Sequence, residues 1–471
     1  RRPPRSTLSS SSAASDVYKR QAEYFFTRRK FLDSEDGYSA VVAMGPKSQY
    51  YELALYKLGW TLYKQELHEE ALDQYVALLD YKVSVGYDFD QTHDEGDERR
   101  IADTFRVISL SFSNLGGPEA VQTYFASRGN RGYEDRIYSH LGEFYLEKLR
   151  YNDAAKVYEA FVDLYPLHRS SPHFSMRIVE IYEAGGFPKL VLESKKEFAA
   201  TYGLQSEYWR HFDVADSPEV LSYLKSNLED LASHYHSVYQ ERDPSEDGSE
   251  SFAEALRWYR AYLGSFPAEV ESPGINHRLA DLLLEHEDFT DAALEYERTA
   301  YAYPAHEKSA AAGYAAIYAH REAQKRAKGE EREAARRAAV TSTLRFADGF
   351  PQHEHVAAVL GVAVDDLYEM KEFDRTIEVA RRLIDTYPQA DPAILRAAWT
   401  ALAHASFDIA EYPQAEAAYA RVLEMTPEED ESRQALVDNL AASVYKQGEQ
   451  ASLAEDCLLY TSPSPRDRTR S

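Results

Sequence analysis

A pattern of small and aromatic residues recurs along most of this 471-residue chain and constrains its fold more than any other feature. Each copy has a Leu followed by Gly or Ala, then an Ala, and a Tyr close behind it. The spacing is the same in four copies: Leu58-Gly59, Ala71 and Tyr75; Leu141-Gly142, Ala154 and Tyr158; Leu279-Ala280, Ala292 and Tyr296; Leu402-Ala403, Ala415 and Tyr419. Apolar residues within each copy fall at i, i+3, i+4 and i+7, which predicts pairs of amphipathic helices.

Pairs of an aromatic residue and a proline close several of these copies. They are Tyr165-Pro166, Phe266-Pro267, Tyr303-Pro304, Phe350-Pro351 and Tyr387-Pro388. Because proline cannot continue a helix, each pair predicts the end of a second helix. Pro267 and Pro304 are 37 residues apart, as are Pro351 and Pro388, so the chain is expected to contain about eleven units.

These positions match the W-x2-L-G-x2-Y…A-x3-F…P pattern of about 34 residues. The chain resembles the tetratricopeptide repeat family over nearly all of residues 22–456. The resemblance implies an all-α fold, an α-solenoid of helix-turn-helix repeats that form a right-handed superhelix. We predict repeats over 22–240 and 252–456, the last of them truncated, with an acidic loop at 241–251. The charged insertion Arg321–Arg337 is interpreted as lengthened, solvated helix ends.

Both ends of the chain resemble translated sequencing-library adapters. Ser11–Gln21 reads SSAASDVYKRQ, and Cys457–Asp467 reads CLLYTSPSPRD. We therefore predict that residues 1–21 and 457–471 are adapter-derived, with a natural Ser-rich tail as the alternative. The single cysteine, Cys457, falls in such a segment, so cysteine content carries no argument about the redox environment.

Charge and motifs exclude several classes of function. The chain has 79 acidic and 53 basic residues, a formal net charge of −26, which argues against nucleic acid as a partner. No apolar run is long enough to predict a membrane span. The phosphate-binding, dinucleotide-binding, zinc-protease and serine-hydrolase motifs are absent from the sequence. We predict a protein that is not an enzyme and has no cofactor.

One loop approaches the spacing of a calcium site. Asp243, Ser245, Asp247, Gly248 and Glu254 fall near the pattern D-x-[DN]-x-[DN]-G-x5-E. Ser245 stands where Asp or Asn is usual, and no second such loop accompanies it. A solvated acidic insertion is the favoured interpretation, so no metal site is predicted.

The resemblance also implies where a partner would bind. In this family the first helix of each unit lines a concave groove. The residue that follows the small Gly or Ala of the repeat points into this groove. The residue four positions later lies on the same face of the helix. These two places are Glu143 and Glu147, Asp281 and Glu285, Asp365 and Glu369, and His404 and Asp408. In an earlier unit the aromatic residues Tyr56, Trp60 and Tyr63 lie at or beside these places. We predict an acidic, partly aromatic groove for a basic protein or peptide; the alternative is that these are ordinary solvent-facing positions.

The favoured function is a non-enzymatic scaffold for protein–protein contacts. The opening of the unit at Tyr51–Trp60 is similar to that of bacterial envelope repeat proteins, which implies a periplasmic or envelope-associated location, with the cytoplasm as the alternative. Two further functions stay open at this point. The chain could be the repeat arm of a larger enzyme, or part of a cytoplasmic regulatory sensor.

Overall fold

The computed structural model describes residues 7–243 and 245–453, and in these ranges it contains 21 α-helices and no β-strand. The all-α prediction is confirmed. The helices are α1 Thr7–Thr27, α2 Phe31–Ala43, α3 Tyr51–Tyr63, α4 His68–Ser84, α5 Glu95–Leu115, α6 Pro118–Arg128, α7 Glu134–Leu146, α8 Tyr151–Leu164, α9 Ser171–Gly185, α10 Pro188–Tyr202, α11 Pro218–Glu241, α12 Ser249–Ser265, α13 Ser272–Glu285, α14 Phe289–Tyr301, α15 Ser309–Arg326, α16 Glu330–Gly349, α17 Val356–Glu369, α18 Phe373–Thr386, α19 Pro392–Asp408, α20 Tyr412–Met425 and α21 Arg433–Leu453. None of them, within the described ranges, is both long and apolar enough to cross a membrane.

Consecutive helices pack as hairpins joined by short turns, for example α3 with α4, α7 with α8 and α19 with α20. The first helix of a hairpin also contacts the first helix of the next hairpin. Examples are α5 with α7 and α17 with α19. The helix-turn-helix repeat is therefore confirmed. The handedness of a superhelix stays a prediction.

The chain divides into two compact units, one ending at Leu231 and the other beginning at Ala232. Each unit has an apolar core made where hairpins stack on one another. The core of the first unit includes the buried side chains of Tyr75 and Tyr158, and that of the second includes Leu360 and Tyr419. Because the apolar face of a helix is covered by its neighbours, stability in each unit comes from stacking.

The recurring small residue makes room for the recurring tyrosine. A Cβ atom added to Gly142 would lie 2.4 Å from the ring of Tyr158, and one added to Gly59 would lie 2.7 Å from the ring of Tyr75. A side chain at either glycine would force the two helices of the hairpin apart. The predicted close approach is confirmed.

A residue in the left-handed backbone region forms the turn inside many hairpins. Leu149 has φ +56° and Lys371 has φ +58°, and the following N–H donates to a carbonyl five residues back (Arg150 to Tyr145 at 3.0 Å, for instance). This bond ends the first helix and sets the direction of the second. Gly186 has φ +73° between α9 and α10, but most of these turns use residues that carry a side chain, and the sequence does not mark them.

Aromatic residues before proline cap four of the five second helices as predicted, whereas α14 ends at Tyr301, two residues before Tyr303-Pro304. α8 ends at Leu164, and the N–H of its C-cap residue Tyr165 donates to Phe161. Phe350 after α16 does the same. Since the following proline has no N–H to continue the ladder, the chain leaves the helix here.

The predicted adapter-derived ends are only partly described. Residues 1–6 and 454–471 lie outside the described residues, so 457–471 and Cys457 do too. α1 begins at Thr7 and runs through Ser11–Gln21 into the repeats. The origin of these segments stays a prediction, as do the boundaries at 240 and 252.

Candidate functional site

The first predicted groove position in three hairpins is bonded to the recurring tyrosine of the same hairpin. The tyrosine comes from the second helix, and its hydroxyl meets the residue that follows the small position. The pairs are Tyr158 with Glu143 at 2.7 Å, Tyr296 with Asp281 at 2.5 Å, and Tyr419 with His404 Nδ1 at 2.7 Å. These three groove residues therefore also hold their hairpins together.

Glu143 is fixed further by a neighbouring hairpin. Arg177 of α9 donates to both of its carboxylate oxygens, from Nε at 2.8 Å and from Nη2 at 2.9 Å. Burial opposes ionisation of Glu143, but the bonds from Arg177 and Tyr158 outweigh it and lower its pKa. Glu147, four residues on, is exposed, and no side-chain bond to it is found within the described ranges.

A cavity of about 380 Å³ in the second unit lies beside Asp281 and Glu285. α11, α12 and α13 line it, and the buried residues His236 and Tyr259 form part of its wall. Glu285 lies 3.2 Å from His236 Nε2 and accepts a bond from Gln240 at 2.7 Å. The sequence prediction placed both carboxylates on one face, and the structure does bring them to one cavity.

A larger cavity of about 480 Å³ in the second unit lies beside Asp365, and we call it the α17–α21 cavity. It is lined by Asp365, Tyr368, Ala393, Arg396, Ala397, Thr400, Ala401, His404, Val422, Thr426, Ser432, Ala435, Leu436 and Asn439. Desolvation, followed by repulsion from the carboxylates of Asp366 and Glu369, raises the pKa of Asp365. In the described part of the chain Asp365 makes no hydrogen bond and no ion pair.

The other predicted positions of this region have partners. Glu369 is exposed and accepts from Arg336 Nη1 at 2.9 Å. Asp408 is exposed and accepts from the Tyr368 hydroxyl at 3.1 Å. Burial lowers the pKa of His404, which favours the neutral ring.

The predicted aromatic residues of α3 lie together, and two of them contact α5, the first helix of the next hairpin. The Tyr56 hydroxyl and Trp60 Nε1 both donate to Asp103 of α5, at 2.6 and 2.8 Å. Burial and the bond to Asp103 raise the pKa of Tyr56 to about 12. Tyr63 packs edge-on against Trp60 with ring centroids 5.7 Å apart. All three aromatic side chains are half-buried, so the patch exposes only part of its surface.

Two arginines of the charged insertion are not solvated, and the expectation for them is wrong. Arg321 of α15 and Arg336 of α16 pair with Asp366 of α17, and their side chains are only 18% and 11% exposed. Arg336 also binds Glu369. These contacts join three helices, because a desolvated carboxylate needs a cation beside it. The insertion does lengthen α15 and α16, as predicted.

The carboxylates of Asp243 and Asp247 in the candidate calcium loop accept hydrogen bonds from residues two positions further along the chain. Asp243 accepts from the backbone and hydroxyl of Ser245 at 2.8 and 2.6 Å, and Asp247 accepts from the Ser249 backbone at 3.0 Å. Pro244 lies outside the described residues. Among the residues that are described, no group of three or more His, Cys, Asp or Glu side chains is placed to hold a metal ion.

Several solved structures are similar to this chain, among them two tetratricopeptide repeat proteins. One from Parabacteroides merdae is 12% identical, with 66% of this chain and 98% of that chain covered and a TM-score of 0.25. The C-terminal part of one from Cytophaga hutchinsonii is 12% identical, with 64% and 98% covered and a TM-score of 0.27. Yeast Tom70 is 13% identical, with 95% and 92% covered and a TM-score of 0.25. No protein-family model and no curated protein matches the chain.

The packing of consecutive helices as hairpins and the spacing of the repeat identify the fold. The chain has a tetratricopeptide-repeat fold.

Two features of these tetratricopeptide hairpins were missed in the sequence, and only one of them had a signal there. Glu143 and Tyr158, Asp281 and Tyr296, and His404 and Tyr419 are all 15 residues apart, so the spacing marks the tyrosine bond. The pairing of Asp366 with Arg321 and Arg336 had no such signal. Its members come from different hairpins, and charged residues are too common in this chain for a spacing to stand out.

Proposed function

We propose that this protein is a non-enzymatic scaffold that binds basic, extended protein segments along the face formed by its first helices. The fold supports a role in protein–protein interaction. The observation that carries the proposal is the placement of Asp281 and Glu285 at one cavity, and of Asp365 at another, both lined mainly by first helices. Clefts between packed helices are common ligand sites, and grooves on helical surfaces are one recurring site of peptide recognition.

Charge supports a basic partner. The net charge of −26 would steer a cationic segment toward the protein at low ionic strength. The carboxylates of the first-helix face divide into two groups. Glu143 is neutralised inside the protein by Arg177, whereas Glu147 and Asp365 have no cation bonded to them in the described residues. We infer that the second group contributes most to partner binding.

A bacterial envelope location is the finer form of this proposal. Its support is the Tyr51–Trp60 opening of the α3–α4 hairpin, which is similar to that of envelope repeat proteins. Fractionation of the cells that make the native protein is expected to recover it with the envelope or periplasm. Recovery in the cytosolic fraction would contradict that location and leave the binding proposal in place.

The binding proposal is tested with a capped peptide of alternating lysine and alanine, titrated against the full chain at low and at physiological ionic strength. The test variant carries Glu147→Gln, Asp365→Asn and Glu369→Gln. The control variant carries Glu193→Gln, Glu378→Gln and Asp385→Asn, which remove the same charge from exposed sites on the second helices α10 and α18.

We expect the test variant to bind about tenfold more weakly than the wild type, a loss of about 1.4 kcal/mol that shrinks as salt is added. The control variant is expected to keep nearly the wild-type affinity. Equal losses in the two variants would show that binding follows net charge alone and would contradict the proposed face.

A further inference from the structure

We propose that the α17–α21 cavity is a pocket for one lysine side chain of the bound segment, and that Asp365 is the residue that selects it. This inference rests on the proposed function and specifies which side chain of the partner the second unit binds. The pocket combines apolar and polar wall residues with a single carboxylate, and it has room for a side chain of this size.

The walls fit the stem of a lysine. The cavity has a volume of about 480 Å³, and its lining includes the methyl groups of several alanines together with Leu436 and Val422. A lysine side chain is four methylene groups that end in an ammonium, so it buries an apolar stem while its charged end seeks an oxygen. Asp365 supplies that oxygen from α17.

The other charges in the lining are already compensated. Arg396 donates to Asp430 at 3.0 Å, so its charge is offset within the protein. His404 is bonded to Tyr419, and burial lowers the pKa of its ring toward the neutral form. Asp365 is therefore the charged group of the lining that has no opposite charge bonded to it in the described part of the chain.

The local sequence explains why Asp365 is free. The equivalent residues Glu143 and Asp281 accept bonds from Tyr158 and Tyr296, which lie 15 residues on. Fifteen residues after Asp365 the chain has Ala380, which has no hydroxyl to donate. The α17–α18 hairpin thus has the acidic residue of the repeat but lacks the tyrosine hydroxyl that donates a hydrogen bond to it in those two hairpins.

The charges around Asp365 disfavour the unliganded fold only slightly, because its side chain is exposed to solvent. Asp366 and Glu369 are paired with arginines, whereas Asp365 is exposed at the cavity and has no cation beside it, and its like-charged neighbours contribute to a raised pKa. A carboxyl whose pKa is higher in the folded state than in the unfolded state reduces stability at neutral pH. Such a cost is common where a residue serves binding. An ammonium beside Asp365 would remove the cost.

The experiment uses capped alanine-rich peptides that differ at one central residue, which is lysine, norleucine, arginine or glutamate. Each is titrated by NMR into the full chain as the wild type, as Asp365→Asn and as Glu378→Gln, an exposed control on α18. We expect the wild type and the control to prefer lysine over norleucine by about tenfold, and Asp365→Asn to lose that preference.

Urea unfolding of the same proteins separates binding from folding. Asp365→Asn is expected to leave the unfolding midpoint of the second unit unchanged or slightly raised at neutral pH, because Asp365 is exposed and makes no bond in the described part of the chain. Weaker binding by this variant then cannot be assigned to loss of structure. A lysine preference that persists in Asp365→Asn would overturn the inference, and equal binding of arginine and lysine would overturn the selection of lysine. The proposed function is judged separately, by whether the alternating lysine–alanine peptide binds the test variant more weakly than the control variant. If it does, the proposed function stands even when the lysine pocket is overturned. If no basic peptide binds the wild type, the proposed function and the lysine pocket are both contradicted.

Discussion

The recurring tyrosine illustrates how one position can carry different chemistry in different hairpins. The ring of Tyr158 packs on Gly142, and its hydroxyl donates to Glu143. The ring of Tyr75 packs on Gly59 in the same way, but its buried hydroxyl has no partner among the described residues. The residue after Gly59 is Trp60, which offers no acceptor there.

This difference predicts opposite outcomes for one substitution. Tyr158→Phe removes a bond to a charged acceptor and is expected to reduce the free energy of unfolding of the first unit by about 1 to 2 kcal/mol. Tyr75→Phe removes an unsatisfied polar group and is expected to leave stability unchanged or slightly higher. Urea unfolding followed by circular dichroism measures both.

The effect of Tyr158→Phe should also depend on pH. The bonds to Glu143 lower its pKa, so the stability they add is complete above the unfolded value of about 4.3 and is lost as the pH falls through the folded value. The difference between Tyr158→Phe and the wild type is therefore expected to shrink in acid. Equal losses for Tyr158→Phe and Tyr75→Phe at neutral pH would contradict the assigned bond.

At the scale of helices, Asp366 joins three of them. It receives Arg321 from α15 and Arg336 from α16, and its own side chain is 11% exposed. Removing the carboxylate leaves two largely buried guanidinium groups without this acceptor. Glu369, one turn further along α17, also binds Arg336 but is 63% exposed, so solvent screens that pair.

The two neighbouring acids therefore form a matched pair of variants. Asp366→Asn is expected to reduce the free energy of unfolding of the second unit by about 3 kcal/mol. Glu369→Gln is expected to change it by no more than about 0.5 kcal/mol. Urea unfolding measures both losses. If Asp366→Asn were as mild as Glu369→Gln, Asp366 would not be the contact that links α15, α16 and α17.

The sequence predicted elements better than it predicted their contacts. Periodicity identified the helices, and the pairs such as Tyr165-Pro166 identified where second helices end, because both signals are local. The turn residues Leu149 and Lys371 were not identifiable, since their left-handed backbone is imposed by the hairpin. The sequence predicted a groove position for Asp365, which lines a cavity in the structure, but the absence of bonds to its side chain within the described residues depends on contacts that only the folded hairpins define.

At the scale of the whole molecule, the protein is two stacks of helical hairpins, and the proposed function belongs to a surface of first helices. The carboxylates of that surface are of two kinds. Those bonded to a tyrosine or an arginine, such as Glu143, stabilise the repeats, and those without such a bond, such as Asp365, are available to a ligand. Mutation is therefore expected to separate the stabilising role of the first kind from the proposed binding role of the second.

Hydrogen–deuterium exchange of the full chain, with and without the alternating lysine–alanine peptide, tests the central claim most directly. The account predicts that the peptide slows exchange in the first helices α17 and α19 and in α21, and leaves the outer helix α18 unchanged. Slower exchange confined to second helices such as α18, or spread evenly over the acidic chain, would contradict a binding surface made by the first helices.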